Sequence, residues 1–334
     1  MRYYSVVITD PKTGNVVRPA AFADLKLPFT YGSLVNGQTL GAALNVELDI
    51  PVAALALPAG DSGAFLRVWG ISLQEIAQAN DLTNKLISVY GGMARGLPLA
   101  TAAQGQAGLL VSGYVFQAFG NWIGTAMTLD IVIYAGDGPN GLGDAANPRN
   151  LVLNWKAGTQ LGDAIKSALS TAFPTLKQNV SISPNLVLTS DQVGYFQTAS
   201  QFAKLVKLAS AAIVGGTYPG VDILLTQSTF NVYDGTATKT PTQIKFQDLI
   251  GQPTWIASPQ IQVTTMMRSD IHVGDYIKLP PSLTTNTAQG LAQFRNSSVF
   301  QGNFQVTQVR HVGNYRQPDA SAWATTIDAA PVTQ

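Results

Sequence analysis

Only two side chains in this 334-residue sequence ordinarily titrate near neutral pH, His272 and His311, and there is no cysteine. A serine nucleophile would need one of them as its base. Both stand inside apolar patterns, Ile271-His272-Val273 and Arg310-His311-Val312, where a strand residue of this kind is expected to face solvent or a partner. No His-Glu-x-x-His, Gly-x-Ser-x-Gly or Walker-type glycine loop is present. Without cysteine, metal ligation would fall to carboxylates, and no EF-hand-like loop is written. Asp270 and Asp275 invite comparison with the carboxylates that glycosidases hold roughly 5–10 Å apart. The simpler account places Asp275 after Gly274 in a tight turn, where its side chain bonds locally. No catalytic residue, cofactor site or metal ligand is therefore assigned. The five tryptophans, Trp69, Trp122, Trp155, Trp255 and Trp323, are spread along the chain as core anchors are, not clustered as a binding platform.

Composition points the same way. Charged residues are 12 % of the chain, about half the usual share, while hydrophobic residues reach 46 %. A surface so poor in charge is expected to be covered in part by other chains, since obligate interfaces resemble sliced cores. The net charge is +1, and the densest basic stretch is Lys204 with Lys207. Tight nucleic-acid binding needs several phosphates neutralised together, so it is not expected. No window approaches the roughly 18 apolar residues of a membrane span, and MRYYSVVITDPKTGN is too short an apolar run for a signal peptide.

The elements that hold these residues follow two periods. Tyr4, Val6 and Ile8 alternate, as do Phe304 with Val306 and Trp323 with Thr325 and Ile327. Such spacing between Gly, Pro and Asn marks half-buried strands. Ser72 and Glu75 form a capping box ahead of a short helix. Past Thr159, a candidate N-cap, the period becomes helical: Leu161, Ala164, Ile165, Ala168, Leu169 and Phe173, stopped by Pro174. A second helix is expected from about Ser200 to Ala212, with Phe202, Leu205, Val206 and Ala209 inside. The predicted class is mainly β with an α+β module: two small antiparallel β-barrels, tudor-like or SH3-like, flanking an α+β domain. Residues 1–136 form the first barrel, 137–150 a Gly/Pro/Asn linker, 151–235 the α+β domain and 236–334 the second barrel.

The barrels read as copies of one another. Asp81-Leu-Thr-Asn-Lys-Leu-Ile-Ser-Val-Tyr sets beside Asp270-Ile-His-Val-Gly-Asp-Tyr-Ile-Lys-Leu, and the Gly108 segment beside the Gly302 segment. Trp122 before MTLDIVIY sets beside Trp323 before ATTIDA. The order is kept while the separations drift (81 to 270, 108 to 302, 122 to 323), as loop insertions would cause.

Several of these segments resemble a known family. Asn154-Trp-Lys-Ala-Gly-Thr-Gln-Leu161 with its helix is similar to the middle module of phage tail baseplate hub proteins. Asp248-Leu-Ile-Gly-Gln-Pro-Thr-Trp255, Arg268 to Pro280, Val309 to Arg316 and Trp323 to Ala329 resemble their last barrel, and Arg95 to Ala100 with Gly120-Asn-Trp122 their first. The strands before Ala64 match nothing in that pattern. The resemblance implies a structural virion protein without enzymatic activity or cofactors, assembled in the host bacterial cytoplasm into the tail baseplate, with a bias toward contractile tails. It implies a homotrimer whose six barrels form a pseudo-hexameric ring. Such a ring adapts a hexameric tail tube protein to a trimeric spike, or cell-puncturing protein, and leaves a channel for DNA. A tape measure protein is a further partner to consider; membrane insertion is not implied. No C-terminal extension is read, so puncturing is expected to belong to another chain. Interface candidates from strand-edge and loop placement are Arg268, His272, Arg310 and Tyr315. The alternatives are a carbohydrate-binding or adhesin-type tail module and, less favoured, a cell-wall hydrolase.

Overall fold

The computed structural model describes residues 1–19, 26–93, 106–135, 150–216, 218–236, 240–257, 260–280, 300 and 302–332. The expected linker at 137–150 lies outside the described residues except for Asn150, and so does the Arg95–Ala100 segment. The first third holds β1 (Arg2–Thr9), β2 (Tyr31–Gly32), β3 (Leu34–Val35), β4 (Gln38–Thr39), β5 (Asn45–Ala53), β6 (Ala64–Trp69), α1 (Leu73–Ala77), β7 (Leu86–Met93), β8 (Gly108–Ile123) and β9 (Ala126–Tyr134). The middle holds β10 (Leu151–Trp155), α2 (Leu161–Ala172), β11 (Lys177–Ser181), β12 (Gln192–Phe196), α3 (Ala199–Val214), β13 (Asp222–Thr226) and β14 (Thr229–Tyr233). The last third holds β15 (Thr242–Gln243), β16 (Thr254–Ala257), β17 (Gln260–Met266), β18 (Tyr276–Lys278), β19 (Asn303–Asn314) and β20 (Trp323–Pro331). The chain is mainly β with an α+β module, as the alternation and the change of period imply.

The local signals act as read. Ser72 and Glu75 make a reciprocal capping box on α1. The inward face of α2 is Leu161, Ala164, Ile165, Ala168 and Leu169, with Phe173 as its C-cap. Its N-cap is Gln160 rather than Thr159, whose hydroxyl instead donates to the Lys156 carbonyl. On α3, Thr198 caps the first turn, and Phe202 and Val206 are buried. Of the run from Ile271 to Leu279 only β18 is strand; Gly274, at φ +86°, turns the chain just before it. His272 thus sits in a turn.

The two β-rich ends are one sheet. Its main path runs β16-β17-β20-β19-β5-β6-β9-β8-β7-β1-β2. Inside it the order β5-β6-β9-β8-β7 recurs as β16-β17-β20-β19-β18, every neighbour antiparallel. One irregularity matches as well. β8 shifts register against β9 between Val115 and Gln117, and β19 shifts against β20 between Val306 and Gln308. Bulges of this kind re-aim the following side chains. Aligning the bulges corrects one sequence match. Trp122 lies opposite Met127, and Gly313 lies opposite Trp323, so Trp323 holds the place of Met127 rather than that of Trp122. The mismatch arises because the β8–β9 turn is tight and the β19–β20 connection is longer. No pairing among the described residues closes either five-strand set into a ring.

Three buried clusters lie along the chain. The first, built on Tyr4, Val46, Leu66, Val89 and Ile131, also takes in Met267 and Trp323 from the far end. The second gathers both long helices around Trp155, Phe173 and Phe202 and includes Leu55. The third centres on Ile261, Ile277, Phe304 and Ile327 and includes Leu224. These crossings, with the β5–β19 ladder, tie the units into one body.

Candidate assembly surface

The four interface candidates fall in different environments. Arg268 is 1 % exposed. Its Nε and Nη2 donate to the two Asp270 oxygens at 2.7 Å each, and its Nη1 faces buried Asp248 at 3.4 Å. All of its donors are directed inward, because an unpaired buried cation would be costly. His272 is exposed, and its backbone N–H donates to Asp275 Oδ2 at 2.9 Å, the local turn bond expected of that aspartate. Arg310 is half exposed on β19 and forks onto Asp49 of β5 at 2.7 and 2.6 Å, bridging the two repeats. Tyr315 is half buried, edge-on to Tyr4 at 4.8 Å and to Trp323 at 6.1 Å. Arg310 and Tyr315 share the junction between repeats; Arg268 and His272 flank the turn before β18.

His311 does not face solvent as expected. It is 4 % exposed, and its Nδ1 shares a 2.9 Å hydrogen bond with the Thr325 hydroxyl. The cause is the β19 bulge. Before it Phe304 and Val306 point inward, and after it Val309, His311 and Gly313 do. Burial, helped slightly by the nearby His272, lowers the His311 pKa to about 3. The folded state therefore holds His311 neutral, while the unfolded chain binds its proton near the ordinary value of 6.5. Stability from this site is complete above about pH 6.5 and declines as pH falls toward 3, because only the unfolded state gains the proton. The expected slope is on the order of 1 kcal/mol per pH unit below about pH 6. Urea midpoints of the wild type and His311→Gln, compared from pH 7 to 4, should converge toward acid; parallel curves would contradict the assignment.

His311 and His272 both line a cleft of about 300 Å³ where the three units meet, with Val52, Leu110, Ile133 and Leu224. A histidine that is neutral, and whose Nδ1 is engaged by threonine rather than oriented by a carboxylate, lacks the second half of a triad. Asp270 is engaged by Arg268, and Asp275 by its own turn, with its Oδ2 also 3.4 Å from His272 Nδ1. Among the described residues, no group of three His, Asp or Glu side chains could hold a metal ion.

What sequence reasoning missed is apolar and on the outside. Phe116, Phe119, Trp122 and Ile123 are exposed along the far half of β8, as are Trp255 and Ile256 on β16 and Val152, Val193 and Tyr195 on the β10–β12 pair. Trp155 and Trp323 are fully buried core anchors; Trp122 and Trp255 are not, which corrects the expectation for those two. The one available signal was the low charge content, which said that such surface must exist without saying where.

No family model matches the chain, and no curated protein matches it in sequence. Two solved structures share its architecture end to end. One is the tail protein from Neisseria meningitidis MC58, with a TM-score of 0.51 and 9 % identity over 98 % of this chain and 96 % of that one. The other is a 43 kDa tail protein of prophage MuSo2 from Shewanella oneidensis, with a TM-score of 0.50 and 8 % identity over 99 % and 98 %. At these identities the likeness establishes a common fold.

Proposed function

We propose that this chain is a structural subunit of a phage tail, the hub of its baseplate, acting through assembly rather than turnover. The observation that carries the reading is the five-strand sheet present twice and fused through β5 and β19. Three such chains present six near-equivalent sheets, so a threefold particle can match a sixfold neighbour. The common fold with two tail proteins supports the same role. In it, one face of a homotrimeric ring meets the hexameric tail tube and the other the trimeric spike, with the tape measure protein as a further partner. A net charge of +1 suits a passage through which DNA slides, since basic walls would hold phosphates. The exposed apolar strips are the surface such an assembly would cover. The site of action is then the virion tail, after assembly in the bacterial cytoplasm.

Light scattering on the purified chain tests the reading. The expected mass is three times the 35.3 kDa of one chain, with a central hole in negative stain. A monodisperse monomer at every concentration would reject it.

A further inference from the structure

The junction inside the chain has a counterpart that one chain leaves open. Along Glu47–Ala53, β5 is hydrogen-bonded to the far half of β19, Gln308–Asn314. The repeat assigns each side an equivalent. β16 holds the place of β5, and the far half of β8, Gln117–Ile123, holds the place of Gln308–Asn314. Among the described residues, β16 pairs only with β17, and β8 beyond Val115 pairs only with β9. Among those residues, each shows one open row of backbone donors and acceptors, which a protein must protect or use.

We propose that β16 of one copy of this chain adds antiparallel to the far half of β8 of the next copy, so that the junction within the chain is repeated between chains. The ring reading supplies the number of copies; the choice of strands comes from the repeat alone. The register follows as well. Val312 faces Asp49 within the chain. Aligned on the β8 and β19 bulges, Asn121 holds the place of Val312; aligned on the β5–β6 and β16–β17 ladders, Thr254 holds that of Asp49. Asn121 of one copy then stands opposite Thr254 of the next, ahead of the β16 register shift between Trp255 and Ala257.

Side-chain chemistry differs between the two junctions as tethering requires. Inside the chain the strands are already linked, and the contact is polar: Arg310 on Asp49, and Asn314 Nδ2 on Glu47 Oε1 at 2.8 Å. Separate copies must supply apolar burial to associate. The open edges carry it, with Phe119 38 %, Trp122 63 % and Ile123 77 % exposed on β8, and Trp255 47 % and Ile256 45 % on β16. Unlike edges meet, so the contact is head-to-tail and closes a ring when the rotation allows.

The chain has no cysteine, so paired cysteines can be placed without background. Asn121→Cys and Thr254→Cys, at a half-buried and an exposed position, are prepared separately, mixed and oxidised. A disulfide-linked pair is expected in the mixture and not in either variant alone; Asn121→Cys/Thr254→Cys in one chain is expected to give a covalently closed trimer. Opposed residues lie within disulfide reach, whereas Gln117→Cys mixed with Thr254→Cys is displaced by four register positions, so cross-linking should be on the order of tenfold slower there. An assembled particle whose Asn121→Cys/Thr254→Cys mixture cross-links no faster than the displaced pair would overturn this contact and leave the ring. A mixed disulfide in a particle not built of three chains would keep the contact and overturn the ring. A persistent monomer with no cross-link would reject both.

Discussion

Replacing Arg268 with alanine is expected to lower stability by about 3–5 kcal/mol, the usual consequence of removing one partner of a buried ion cluster. The guanidinium satisfies both oxygens of Asp270 and faces Asp248, which is itself buried. Without it, Asp248 keeps one neutral side-chain donor, Gln106 Nε2 at 3.2 Å. Asp270 is more open and can turn to water, so most of the loss belongs to Asp248. The pairing has a structural purpose, because Gln106 and the Ser269 backbone, which donates to the Gln106 carbonyl at 3.3 Å, join the first unit to the last. Arg268→Met combined with Asp248→Asn should recover most of the loss, since a neutral pair needs no counter-charge. Urea unfolding of the single and double variants at constant m-value measures both. A single-variant loss below about 1 kcal/mol would show that water reaches Asp248 and that the cluster is not a buried one.

How far the sequence could be read is itself set by physics. Local features were legible: the faces of α2 and α3 and the Ser72–Glu75 box. The duplication was legible in outline because both copies keep strand order. The bulge at Thr307 was not, since one extra residue reverses which side chains face inward without leaving a composition signal. That reversal hid His311. The β5–β19 ladder was also invisible, because it joins strands more than 250 positions apart and neither announces its partner. Interface candidates were drawn from strand-edge and loop placement, which cannot tell a buried arginine such as Arg268 from an exposed one; apolar residues on strands, such as Phe119 and Ile256, read as core until neighbouring strands are known.

The same ladder makes a prediction about the last strand. Trp323 opens β20, yet its ring lies in the first unit's core, where Nε1 donates to the Gly92 carbonyl at 2.9 Å. The indole lies so close over Gly313 that a Cβ there would come within 2.7 Å of the ring, so the glycine is part of the Trp323 seat. Trp323→Ala should cost about 3–5 kcal/mol, from lost transfer energy and the cavity left behind. Trp323→Phe keeps most of the ring volume and should lose on the order of 1 kcal/mol, chiefly the hydrogen bond to Gly92. The decisive readout is where protection falls. If the sheet is one cooperative body, hydrogen exchange in Trp323→Ala should quicken in β7 and β5, hundreds of residues away in sequence, as much as in β20. Faster exchange confined to β20 would mean that the two repeats open independently, and that the β5–β19 ladder contributes little to holding them together.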